Sequence, residues 1–463
     1  MNSKYKNLLK DTMIFALGSF GSKVILFFLV PLYTNYLTAD EYGIADLIST
    51  FSQLIIPITS LMISSAVIRF GMMKSEKSED VIVNAFCVIG FSIVTTFMII
   101  FLLGWYAPVK EWRWYLFVQV ILSNIAEIEK TYLKVKNKNK IFSIISVFQT
   151  LILAITNVLL LTIFNQGVRG YIIANIAGAL VGVIIAFFAG NLYNDLSEGS
   201  FNMDLLKRMI MYSSPLIFGN ISWWVIHSSD KIMIQAMLSA SALGIYTVAT
   251  KIPSLINVII AIFSQAWGIS SIKEIESTKK TDFISSVFNL YSTTVFGAAI
   301  LLITFIKPFM NIYVGNDFKG SWIYTPLLLA AAAFFSLSVF ISSLYSALQK
   351  TKNDMWTTIL CAVINLIVNY IGISFLGVWG AIIGTVTAYF ICAVVRIIDI
   401  NRFLKINIKK NLYINMLILI FQSIAIAVQW HIVFVSSIGC SLFVLLNFEE
   451  IRKALGRAFY KKH

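Results

Sequence analysis

Three lysines stand inside apolar stretches where a cation is costly: Lys23 in GSFGSKVILFFLV, Lys231 in SSDKIMIQ and Lys251 in VATKIPS. An ionisable group at membrane depth is costly to keep there and marks a functional site by default. Lys23 lies about eleven residues into its run, ~16 Å along a helix axis, too deep to snorkel to an interface. Ser19 shares its face one turn earlier. Lys251 precedes Pro253, which removes a backbone donor and kinks the helix; the freed carbonyl needs a partner or water. A lysine beside such a kink predicts a wet cavity.

The stretch GNISWWVIHSSDKIMIQ (Gly219–Gln235) gathers further polar groups. Asn220, Trp224, His227 and Lys231 recur at i, i+4, i+7 and i+11, one face of a helix. Ile, Val and Met fill the opposite side. Asn220, Trp224, His227 and the adjacent Asp230 are expected to line a cavity. The alternative is an interhelical hydrogen-bond stripe, with Asp230 and Lys231 reaching headgroups. His227 has no second histidine placed to share a metal, so no metal site is expected. Tyr42, Asp46, Ser49 and Gln53 form a similar face, of which Asp46 and Gln53 are further cavity candidates. Arg69 ends that run and is a fourth candidate contact for an anionic headgroup, with Lys23, Lys251 and Lys231. Glu127 and Glu129, beside Lys130, are expected at a solvated helix end.

Deep in the apolar runs basic groups outnumber acidic ones. A cavity with that sign attracts anions, and lysine suits phosphate as a point-charge partner. Trp223, Trp224 and Trp267 offer faces on which sugar rings could pack.

The elements that position these residues are legible in composition. Of 463 residues 58% are hydrophobic and 13% charged. A soluble domain cannot hide that much apolar surface, and the apolar residues fall in long runs, the pattern of an all-α polytopic membrane protein. Fourteen runs are counted: roughly 12–33, 42–67, 81–105, 112–133, 141–164, 170–190, 210–236, 243–268, 283–306, 322–348, 354–376, 378–400, 411–429 and 431–447. The last two are short enough to be one re-entrant pair. The first follows a basic head (Lys4, Lys6, Lys10), is too long for a signal-peptide core, and is expected to stay as a membrane helix.

The net charge of +14 has a topological cause rather than a nucleic-acid partner. With the N-terminus in the cytoplasm, inward segments hold 28 of the 36 Lys and Arg, and outward loops hold five: Lys110, Arg113, Arg169, Lys307 and Lys319. That asymmetry puts both termini in the cytoplasm. Cys87, Cys361, Cys392 and Cys440 lie in apolar runs without CxxC spacing and are expected to be core residues. No nucleophile–base set, glycine-rich phosphate loop or metal-ligand cluster stands out, and outward loops are too short for an active-site domain. No enzyme activity and no cofactor are expected.

The chain also repeats. Gly167-Val168-Arg169-Gly170 recurs as Gly377-Val378-Trp379-Gly380, Lys138-Asn139 as Lys352-Asn353, Phe20-Gly21 as Phe218-Gly219, and Leu37–Gly43 loosely as Leu238–Gly244. The shared spacing of about 200 residues predicts two parallel six-helix lobes, 1–195 and 196–402, with two additional helices and a basic tail over 403–463. Such lobes suit alternating access around a central cavity.

Three segments carry a resemblance: SKVILFFLVPLYTNYLTADEYG (Ser22–Gly43), SPLIFGNISWWVIHSSDKIMIQAMLSASALGIYTVATKI (Ser214–Ile252) and GVWGAIIGTVTAYF (Gly377–Phe390). Their order and spacing resemble the bacterial polysaccharide flippases, the O-antigen and capsule repeat-unit translocases of the multidrug/oligosaccharidyl-lipid/polysaccharide exporter superfamily. The resemblance covers roughly residues 1–400. It implies an undecaprenyl-pyrophosphate-linked oligosaccharide as partner, moved from the inner to the outer leaflet of a bacterial cytoplasmic membrane. The partners expected with it are membrane lipids and other polysaccharide-assembly proteins; coupling is left open between a proton or sodium ion, for which His227 and Asp230 are candidates, and the membrane potential. Related lipid-linked peptidoglycan-precursor flippases have fourteen spans and a cationic cavity, which fits Lys23. In such families the membrane-embedded base is often arginine; here it is lysine. The alternatives are a cation-coupled multidrug antiporter of the same superfamily, which needs an acidic cavity, and a non-transporting scaffold of a polysaccharide-assembly complex.

Overall fold

The computed structural model describes residues 21–73, 75–275 and 280–460. The basic head, Ser19, Phe20 and the start of the first run lie outside the described residues, as do Lys461 and Lys462. Every regular element among the described residues is helical. In chain order these are α1 (21–36), α2 (Ala39–Thr59), α3 (Ile63–Gly71), α4 (Ser78–Leu103), α5 (Ala107–Lys110), α6 (Arg113–Val135), α7 (Asn139–Val158), α8 (Gly167–Ala189), α9 (Leu192–Glu198) and α10 (Met203–Met237). There follow α11 (Ala240–Ala249), α12 (Pro253–Glu274), α13 (Lys280–Thr304), α14 (Ile306–Tyr313), α15 (Thr325–Ala347), α16 (Thr351–Leu376), α17 (Val378–Ile400), α18 (Lys410–Ala427) and α19 (Ile432–Tyr460). A π-helical turn, Leu159–Ile163, extends α7, and a 3-10 turn, Asn316–Ile323, precedes α15.

Among the described residues the helices fall on the apolar runs, of which 42–67 and 243–268 are each broken into two helices. Nine among the described residues are long and apolar enough to cross a membrane, and eleven if each of two bent pairs is one span. The count of fourteen is not reached by that measure for local reasons. Only 21–33 of the first run is described, α6 ends in the charges Glu127, Glu129, Lys130 and Lys134, and the apolar part of α19, Ile432–Phe448, is short. The bent pairs are α2 with α3, at 50°, and α11 with α12, at 49°. The first bend falls where Leu61 and Met62 take positive φ, after Pro57; the second falls at Pro253.

The chain forms two compact units, Met1–Trp224 and Val225–His463, divided within α10. In the first, α6 packs against α2, α3, α4 and α8, and α7 against α8. Its core joins Ile63, Val67 and Phe70 of α3 to Val81 and Ala85 of α4, Tyr132 and Leu133 of α6, and Leu205 and Met209 of α10. At one end Lys136 bridges Glu79 and Asp195, the latter at 3.0 Å, tying α9 to α4. Burial works against the Lys136 ammonium, but the two carboxylates outweigh it and hold its pKa above the usual lysine range.

In the second unit α15 is the central helix, packed by α12, α13, α16, α17 and α18. Phe263, Trp267, Tyr291 and Phe340 stack there, with centroids 4.1 Å apart for Phe263 and Tyr291 and 4.9 Å for Trp267 and Phe340. Trp267, offered by the sequence as a sugar face, is buried in this stack. Of the last two helices, α18 packs on α13 and α15, and α19 packs on α13 and α18.

The two units share local devices where the sequence repeats. Gly167 and Gly377 both take positive φ, 53° and 58°, at the start of α8 and α17, a conformation that glycine adopts without steric cost. Thr38 caps α2 through Glu41 N, and Ser239 caps α11 through Ala242 N. Glycines then let helix pairs approach: Gly178 of α8 lies over the Gln149 carbonyl of α7, and Gly380 of α17 lies on Gly372 of α16.

Candidate functional site

Lys23 is exposed on α1. Its neighbour Ser22 donates to the Ser146 carbonyl of α7 at 3.0 Å, which fixes this turn of α1 within the first unit. Lys251 is half-buried in the break between α11 and α12. Pro253 cannot donate to the Ala249 carbonyl four residues back. Thr325 of α15 does so instead, at 3.4 Å, and Thr250 donates to Thr247 O at 2.7 Å. Hydroxyl groups, rather than water alone, therefore serve the kink that carries Lys251. Lys231 is half-buried on α10. Arg69 is exposed in the last turn of α3, its guanidinium 4.5 Å from the Tyr212 ring centroid, a cation–π contact.

The carboxylates are placed differently. Asp46 and Asp230 are 6% and 4% exposed. Tyr246 of α11 donates its hydroxyl to Asp230 Oδ2, and Asp230 Oδ1 accepts Lys231 N–H at 2.8 Å. Asp230 therefore does not reach toward headgroups, because α11 folds back and Tyr246 claims it. Asp46 lies on α2 beside Tyr42, itself packed with Tyr33 and Tyr171. Gln53, two turns further along α2, is exposed.

The four residues aligned on α10 differ in accessibility. Asn220 and His227 are exposed and Trp224 and Lys231 half-buried, whereas Ile226, Ser229, Asp230 and Ile234 are buried. Asn220 donates only to its own helix, to Leu216 O at 3.4 Å. Trp224 Nε1 donates to Thr50 O at 3.1 Å, which ties this part of α10 to α2. His227 Nδ1 lies 2.8 Å from the Tyr389 hydroxyl of α17, and its ring packs edge-on to Phe335 at 5.1 Å. Beside it, Ser229 donates to Asn365 Oδ1 of α16 at 3.3 Å, and Asn369 donates to the same oxygen at 3.1 Å. In the second unit α10, α11, α16 and α17 thus converge on one polar cluster around Asp230 and His227.

Two features escaped the sequence. Arg396, near the end of the run 378–400, is wholly buried. Its guanidinium donates to Asp354 Oδ1 at 2.6 Å, Thr358 Oγ1 at 2.8 Å, Thr357 Oγ1 at 3.0 Å and Ser338 O at 2.8 Å. The available signal was Asp354 in the first turn of α16, the helix before the one that carries Arg396 in its last turns. Glu129 is 1% exposed, not the solvated helix end expected. The cause is that α6 continues six residues beyond it, inside a collar of α3, α4 and α8.

A sequence profile of the family described as "Polysaccharide biosynthesis protein" matches residues 8–268. A protein of the Lsg locus of Haemophilus influenzae is 23% identical over 260 residues, 56% of this chain; the match spans 64% of that relative, under two thirds of its length. An uncharacterized membrane protein of the same organism is 21% identical over 372 residues, 78% of this chain and 89% of the relative. Among solved structures, the lipid II flippase MurJ in an inward closed conformation superposes with a TM-score of 0.68 at 13% identity, covering 96% of this chain and 100% of that one. An inward-facing MATE-family multidrug resistance transporter of the MOP superfamily gives 0.65 at 15%, covering 81% and 92%. At these identities the structures establish the fold, and the profile, which spans more than half the chain, establishes the family. The chain is a multi-pass membrane protein with the fold of the MOP flippases and transporters, and it belongs to the polysaccharide biosynthesis protein family.

Proposed function

We propose that the protein is a flippase that moves an undecaprenyl-pyrophosphate-linked oligosaccharide repeat unit from the inner to the outer leaflet of a bacterial cytoplasmic membrane, by alternating access, for O-antigen, capsule or exopolysaccharide synthesis. Both termini face the cytoplasm in this scheme. The observation that carries the proposal is the sorting of intramembrane charge. Lys23, Lys231 and Lys251 keep part of their surface accessible, while Asp46 and Asp230 are buried. An approaching headgroup meets fixed ammonium groups and not carboxylates. Lys23, Lys251 and Lys231, with Arg69, replace the water that a pyrophosphate sheds, and so lower the cost of carrying it across. The polyprenyl tail stays in lipid.

The coupling step, in this scheme, belongs to Asp230. A proton or cation there would compete with the Tyr246 hydroxyl on α11 and so act on the hairpin that leads to Lys251. A drug/cation antiporter is the second possibility, favoured by the same buried carboxylate and by the MATE-like fold. The two separate in proteoliposomes. Outward movement of a fluorescent polyprenyl-pyrophosphate oligosaccharide that fails for Lys23→Ala supports the flippase; no movement of this lipid, with ion-driven uptake of an organic cation, supports the antiporter.

A further inference from the structure

Glu129 is the one acidic side chain of α6 that the structure closes off completely. It is 1% exposed, and its Oε2 has no hydrogen-bond partner among the described residues. Its helix neighbours Ile128, Tyr132 and Leu133 belong to the apolar core of the first unit, together with Ile63, Val67, Val81 and Ala85 of α3 and α4.

The charged groups around it are engaged elsewhere. On α6 itself, Glu127 accepts from Ser64 at 3.4 Å, Lys130 donates to Gln149 of α7, Lys134 lies over the Phe142 ring at 4.4 Å, and Lys136 pairs with Glu79 and Asp195. From the packed elements, Arg69 of α3 lies over Tyr212, Asp80 of α4 accepts from Ser200, Asp46 of α2 sits beside Tyr42, and Lys140 of α7 and Arg169 of α8 are exposed.

A carboxylate buried in an apolar core without a counter-charge is costly, and such groups neutralise instead. Neutralisation by a metal ion needs several oxygen ligands. No group of three His, Cys, Asp or Glu side chains able to share one is found among the described residues. A proton needs none. We propose that Glu129 is a proton-binding site of the first unit, occupied in the conformation described.

The test is infrared difference spectroscopy on the full-length purified protein in H2O and D2O at neutral pH, wild type against Glu129→Gln, which matches the protonated side chain in shape. The expected result is a deuterium-sensitive carbonyl-stretch band of one protonated carboxylic acid, present in the wild type and lost in Glu129→Gln. A pair differing only in carboxylate bands would overturn the site. Should Glu129→Gln not fold, Glu129→Asp serves: the band must shift, and an unmoved band overturns the site equally. The measurement reads the proton and not transport, so it stands or fails apart from the flippase proposal.

Discussion

Tyr246 donates its hydroxyl to the Asp230 carboxylate, and both side chains are buried. The pair joins α10 to α11 across the short turn at Leu238–Ser239 and so closes the hairpin that ends at Lys251. Tyr246→Phe should leave a buried acceptor unsatisfied, at a cost of ~1–3 kcal/mol. A double-mutant cycle with Asp230→Asn, read by thermal unfolding in detergent, should give a coupling energy of about 1 kcal/mol or more. Additive single effects would show that the bond contributes nothing.

Removing one member of the Arg396–Asp354 pair should be more damaging. Arg396 is wholly buried and bonded to Asp354, Thr357, Thr358 and Ser338. Asp354→Asn leaves the guanidinium short of its counter-charge, and a loss of about 3 kcal/mol follows. Arg396→Lys cannot restore four directions of donation from one ammonium. Yield of folded protein by size-exclusion chromatography should fall for both variants.

Helix contact through glycine gives a paired prediction. A Cβ on Gly380 would collide with the backbone of Gly372 and Ile373, which cannot swing aside. Gly219 on α10 has nothing within 4 Å of the same position. Gly380→Ala should therefore disrupt the packing of α16 and α17, whereas Gly219→Ala should raise stability by up to ~1 kcal/mol through helix propensity. Thermal unfolding of the two variants side by side checks both signs.

Lys251→Met should weaken headgroup binding by about 1.5–3 kcal/mol, roughly ten- to a hundredfold, with Lys251→Arg retaining most of it. Titration of purified protein with a polyprenyl-pyrophosphate lipid, followed by intrinsic tryptophan fluorescence, reports the change.

How much of this was legible beforehand depends on the range of the interaction. Helix positions follow from local hydropathy, so α16 and α17 begin and end within three residues of the runs 354–376 and 378–400. The face of Asn220, Trp224, His227 and Lys231 follows from helix period alone. Two bends within spans were half-visible: Pro253 marked one, and Leu61 and Met62 gave no residue-type signal for the other. Partners were not visible, because they are set by packing between helices. Nothing near Asp230 in sequence selects Tyr246, nothing near Arg396 selects Ser338, and Glu129 resembles any charged helix end until α3 and α4 close over it.

The central claim is that accessible intramembrane lysines carry an anionic lipid-linked glycan. It is tested most directly in a strain deleted for this protein, with lipid-linked oligosaccharide quantified by mass spectrometry beside surface polysaccharide, after complementation with wild type or Lys23→Ala at equal protein level. The account predicts that lipid-linked repeat unit accumulates and surface polymer is lost in the deletion, and that wild type rescues while Lys23→Ala does not. Normal glycan pools in the deletion, or full rescue by Lys23→Ala, would contradict it.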